Sequence, residues 1–116
     1  MDARQWQRRC RGEWAELVQA WGPERDHGWV GPSLHRLLEL AVAEPTLMRL
    51  WPYTSMNVLG LSATGDFRDY GQEPFPAVTC WEGGYRVLAA PGARGEPVLE
   101  TTDPAEALAC LVGMLD

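Results

Sequence analysis

The chain has 116 residues, 46% of them hydrophobic and 22% charged, which is ordinary globular usage and one domain's worth of sequence. That composition excludes a disordered tail, a collagen-like fibre and a disulfide-stapled mini-scaffold, and no apolar run approaches the ~20 residues that cross a bilayer. The net charge is −6, so a whole-chain role on nucleic acid, which needs a basic face, is not expected.

The charge is uneven. Residues 1–11 hold four Arg and one Asp, net +3, which leaves −9 on the rest. A basic arm on an acidic body could meet phosphate or an acidic partner; the plainer reading is the polar face of a first helix. All ten cations are Arg, which reflects the coding bias of a GC-rich genome rather than a function. The opening residues lack the apolar stretch of a secretory signal, so none is expected. Cys10, Cys80 and Cys110 are odd in number, far apart and set among apolar residues. Neither a zinc site nor a redox pair is indicated, and a reducing cytoplasm is the expected setting.

Trp6, Cys10, Trp14, Leu17, Val18 and Trp21 recur at helical spacing and predict an amphipathic opening helix that Gly22-Pro23 stops. A polar connection, residues 24–31, holds His27 and Trp29. Pro32-Ser33 opens a second helix with the stripe Leu34, Leu37, Leu38, Ala41 and Val42, broken at Glu44-Pro45. Pro45 then starts a short helix carrying Leu47, Met48, Leu50 and Trp51, which Pro52 ends.

From Tyr53 the period changes. Residues 58–62 read as a strand, and residues 64–76 as a long polar and aromatic connection of the kind that often carries function. Residues 77–82 and 85–90 read as a hairpin turned by Gly83-Gly84, and residues 97–101 as a fourth strand after a turn over residues 91–95. Asp103-Pro104-Ala105-Glu106 starts a last helix, with Asp103 as cap and Glu106 returning a bond to it. Its apolar face is Ala107, Leu108, Leu111, Val112 and Leu115. The expected fold is α+β: N-terminal helices, an antiparallel meander of about four strands, and a C-terminal helix packed on one face.

Residues 44–55 read Glu-Pro-Thr-Leu-Met-Arg-Leu-Trp-Pro-Tyr-Thr-Ser and residues 58–62 Val-Leu-Gly-Leu-Ser. With Gly84-Tyr85-Arg86-Val87 and Asp103-Pro104-Ala105-Glu106, this resembles an actinobacterial family of small natural-product biosynthesis proteins, domain-of-unknown-function family 6193. The resemblance covers residues 33–116 and leaves the opening helix outside it. It implies a helix ending in proline–aromatic–Thr–Ser, a short strand, a polar aromatic loop, a Gly-Tyr-Arg-Val strand and a final helix. It implies no reaction. Members often carry His after the Thr-Ser pair, where this chain has Met56.

Several residues are candidates for chemistry. Tyr53, Thr54 and Ser55, at the junction of helix and strand, could hold an anion or a ligand carbonyl, or simply bond the turn backbone. Ser55 lacks a Gly-x-Ser-x-Gly setting, and both histidines, His27 and His35, lie upstream without metal-ligand spacing. Asp66, Asp69 and Glu73 could form an acid–base pair, but Arg68 lies between the two Asp residues and a solvated loop is the plainer reading. Six Trp residues are the most unusual feature. Trp6, Trp14 and Trp21 fall on one helix face, either as a core seam or as a docking surface, since Trp is enriched at interface hot spots.

Three functions compete. The first is a non-enzymatic protein-binding or assembly module docking a partner, or a second copy, through the Trp face. The second is a small enzyme or small-molecule-binding accessory protein, with Tyr53, Thr54, Ser55, Asp66, Arg68 and Tyr70 around its site. The third is an immunity- or antitoxin-type protein, whose acidic face covers a basic active site. We adopt the first, with no cofactor or metal expected.

Overall fold

The structure, a computed structural model, describes residues 2–22, 28–92 and 96–115. His27 and the tip of the turn expected over residues 91–95 lie outside them, as does Pro23. Among the described residues the chain forms three α-helices and a five-stranded antiparallel sheet, an α+β architecture.

Helix α1 spans Ala3–Ala20. Asp2 caps it: its carboxylate accepts from the Gln5 amide and its own N–H donates to Gln5 Oε1, so two otherwise unpaired amides are satisfied reciprocally. Helix α2 spans Gly31–Ala41 with Pro32 in its first turn, where a missing N–H costs nothing. Its stripe Leu34, Leu37, Leu38 and Ala41 is fully buried. Helix α3 spans Pro104–Leu115. Asp103 caps it by accepting from the Ala105 amide. The expected return bond from Glu106 does not form; the Asp103 N–H donates to Thr101 Oγ1 instead.

The strands are β1 Trp51–Ser55, β2 Val58–Ser62, β3 Ala77–Trp81, β4 Gly84–Leu88 and β5 Leu99–Thr101, paired in chain order. The sequence points to about four strands, and the addition is β1. Of the short helix expected after Pro45, Leu47–Arg49 alone is helical, as a 3-10 turn, and the chain is extended from Trp51 onward. Proline interrupts helices, but at a sheet edge its missing N–H is tolerated, and β1 is an edge. The β3–β4 turn is Glu82-Gly83 rather than Gly83-Gly84, because Trp81 pairs with Gly84. Gly83 supplies the positive φ.

Side chains alternate across the sheet. Leu59, Leu61, Val78, Cys80, Tyr85 and Val87 face the helices and join Trp14, Leu34, Leu37, Leu38, Leu108 and Leu111 in the core. Ser33 fastens the sheet to α2: the Tyr85 hydroxyl donates to its carbonyl at 2.7 Å, and its hydroxyl accepts from the Gly83 amide. Part of the opposite sheet face, over β1–β3, is covered as well. Tyr53, Gly60, Ser62, Ala77 and Thr79 are buried there, and the connection over residues 63–76 folds back on them.

Candidate functional site

The indole face of α1 is mostly absorbed by its own domain. Trp14 is completely buried, and its N–H donates to the carbonyls of Leu47 and Leu50, each at 3.1 Å. Trp6 is half-buried, donates to the Arg49 carbonyl at 2.8 Å and stacks on Trp51. Of the two readings that the spacing allows, core seam or docking surface, Trp14 takes the first and Trp6 lies mostly with it. The 3-10 turn and the residue after it offer carbonyls to the Trp6 and Trp14 N–H groups, so burial leaves neither indole N–H unsatisfied. Trp21, at the end of α1, is the member of the series that opens onto a groove.

That groove lies at one end of the sheet and is walled by Trp21, Trp29, Val30, Met56, Asn57 and Trp81, with a volume of about 490 Å³. Trp29 is 50% exposed and Trp81 40%, and their rings stack at 5.8 Å with 9° between planes. The Arg86 guanidinium lies 5.2 Å from the Trp81 ring centre and pairs with Glu100 at 2.8 Å. Met56 caps the β1–β2 hairpin, 88% exposed and at a φ of 54°. A non-glycine residue at positive φ stores local strain. Asn57 beside it donates to the Cys80 carbonyl at 3.1 Å, which ties the turn to β3. Sequence reading singled out Trp21 but not Trp29, Met56 or Trp81 as site residues. Their only linear signal is a bulky apolar side chain in a connection, for Trp29 and Met56, or at a strand end, for Trp81.

A second depression, about 440 Å³, lies across the same hairpin and is lined by Tyr53, Thr54, Ser55, Val58, Tyr70 and Gly71, among others. It brings together four of the expected residues. The Tyr53 and Tyr70 rings stack at 4.0 Å, within 4° of parallel. Tyr70 is held in place by a 2.9 Å hydrogen bond from the Trp51 N–H. The Tyr53 hydroxyl is buried and completes no hydrogen bond to a described residue; the Gly71 amide faces it, and burial raises its pKa.

Asp66, Arg68, Asp69 and Glu73 do not join this pocket. They build the connection. Glu73 accepts from the Ser62 hydroxyl at 2.8 Å and from the Ala63 amide at 3.0 Å. Asp69 accepts from Thr64 Oγ1 at 2.7 Å. Asp66 accepts from the Arg68 amide and pairs with its guanidinium, which pulls its carboxyl down to about 2. Ser55 is exposed at the end of β1, whereas His35 sits on α2, on the helical side of the sheet, bonded to Glu39 at 2.6 Å. The nucleophile-and-base geometry that activates a serine is therefore not assembled from these two. Burial pushes the Cys10 thiol up to about 11 and the Cys80 thiol up to about 12, which keeps both in the unreactive protonated form at neutral pH. No group of three or more His, Cys, Asp or Glu side chains converges among the described residues.

Fold and site together define a small α+β domain in which one layer of helices covers one face of a meander and two aromatic depressions flank one hairpin tip. Residues 4–115 match a family of unknown function (DUF6193), and the chain belongs to that family. The match takes in α1, beyond the span of the resemblance read from the motifs. Comparison with curated proteins gave no match, and comparison with solved structures gave none. No helix of the described residues is long and apolar enough to cross a membrane.

Proposed function

We propose that the protein is a non-enzymatic binding module whose groove, walled by Trp29, Trp81 and Met56, receives an apolar side chain of a basic partner protein. The observation that supports this is the stacked Trp29–Trp81 pair, two large apolar rings left about half in solvent. Apolar area in water is unfavourable by about 25 cal/mol per Å², and docking recovers it. Trp is the residue type most enriched at interface hot spots, and a thioether beside it adapts to varied partner shapes. The net charge of −6, with Glu82 exposed beside Trp81, draws a basic partner over an acidic one. In actinobacterial natural-product biosynthesis, the setting implied by the motif resemblance, and in the reducing cytoplasm expected from the free cysteines, such a module would hold a pathway enzyme without sharing its chemistry.

Panning a phage-displayed peptide library on the immobilised protein tests this reading. Selected peptides are expected to share an aromatic or Leu anchor beside Arg or Lys and to lose binding to the Trp29→Ala/Trp81→Ala double variant. Peptides with an acidic consensus, or peptides that bind the double variant undiminished, contradict it. A wild-type dimer in light scattering that the double variant dissolves would seat a second copy in the groove, in place of a different partner.

A further inference from the structure

The Tyr53 pocket is built differently from the Trp groove, and its chemistry points to a different kind of occupant. Among the described residues its lining is made of aromatic rings, hydroxyls, the Met56 thioether, the Asn57 carboxamide, aliphatic side chains and backbone, with no charged side chain. We infer that it is a small-molecule site for a neutral, flat aromatic ligand; this does not rest on the groove's docking a protein.

Three observations carry the inference. At about 440 Å³ the depression has the size of ordinary ligand sites. Its rear wall is preorganised: the Tyr53 ring is pinned between Gly60 and Tyr70, and Tyr70 by the Trp51 N–H. A wall that does not reorder on binding loses little entropy. Gly71 and Gly92 have open space where a side chain would begin, at φ of 78° and 69°, so a flat ligand can lie close against their backbone. An anion or cation here would lose hydration without gaining a counter-charge from the described lining, which favours a neutral ligand. The Thr54 and Ser55 hydroxyls lie in the lining to orient a polar substituent.

The test is an amide chemical-shift titration of the full chain at pH 7 with 2-naphthol, which is neutral, and 2-naphthoate, its anionic counterpart. Saturable shifts are expected at Gly71, Gly92 and Ser55 with 2-naphthol, and at least tenfold weaker binding of 2-naphthoate. Val58→Phe, which fills the pocket from the sheet, and Ser55→Phe, an exposed position that tolerates the change, should each abolish those shifts. Two variants keep the test decisive if one fails to fold. Equal affinity for both probes, shifts confined to the Trp29 and Trp81 indoles, or binding that survives both variants overturns the inference.

Discussion

The Tyr53 ring lies flat across Gly60, its partner in the β1–β2 register. A Cβ built on Gly60 would come within 2.3 Å of the ring, closer than atoms approach without displacement. The ring cannot swing away freely because its other side is stacked on Tyr70. Gly60→Ala is therefore expected to destabilise the domain by about 1–3 kcal/mol, the usual range for overpacking. In Gly60→Ala/Tyr53→Leu part of that loss should return. Urea unfolding of the two variants checks this, and strictly additive losses would mean that the two residues are not coupled.

The split between sealed and open indoles has an energetic consequence. Trp14→Ala removes a fully buried ring and takes an indole donor from the Leu47 and Leu50 carbonyls, so it should cost about 3–5 kcal/mol. That is a large part of the 5–15 kcal/mol typical of a domain. Trp29→Ala, on the surface, should change stability by less than about 1 kcal/mol. Thermal unfolding of both variants separates a core residue from a docking residue, and a reversed order would contradict their assignment.

Met56 is expected to show a conflict between fold and function. Met56→Gly places the permissive residue at a φ of 54° and should stabilise the domain by about 0.5–1 kcal/mol by relieving the hairpin tip. The same change removes one wall of the groove, so peptide affinity should fall as the melting temperature rises. Both values moving together in either direction would show that the methionine is not retained for contact.

The sequence spelled out the helices because their apolar stripes repeat at a period that needs no partner to be recognised. β1 was hidden for two reasons. Pro52 looks like a helix stop, and Tyr53, on the face away from the helices, is buried by a connection that no local pattern announces. The tertiary reason for Gly60 is likewise invisible in one dimension. The Trp groove draws on residues 21, 29, 56 and 81, which fall in four separate elements or connections, so spacing could nominate Trp21 but not its neighbours. Spacing also placed Trp6, Trp14 and Trp21 on one face correctly. What it could not show is that carbonyls of the 3-10 turn and the residue after it wait beneath the first two.

The connection over residues 63–76 should resist acid. Asp66, held near 2 against an ordinary 3.8 by the Arg68 side chain and amide, is a depressed carboxyl. Its contribution is present above the ordinary value and is lost as pH falls through about 2. Carboxyl-carbon NMR titration should give a midpoint near 2 for Asp66 in the wild type and a clear rise toward the ordinary value in Arg68→Gln. An unchanged midpoint in that variant would place the cause elsewhere.

Docking at the Trp29–Trp81 groove is tested most directly by calorimetric titration of a peptide selected on the wild type against three proteins: wild type, Trp81→Ala and Trp6→Phe. A hot-spot loss of about 2 kcal/mol corresponds to a weakening of about thirtyfold. That loss is predicted for Trp81→Ala, whereas Trp6→Phe should bind within about threefold of wild type, a difference of under about 1 kcal/mol. Undiminished binding to Trp81→Ala, with the loss falling on Trp6→Phe, would contradict the account and return the docking face to α1.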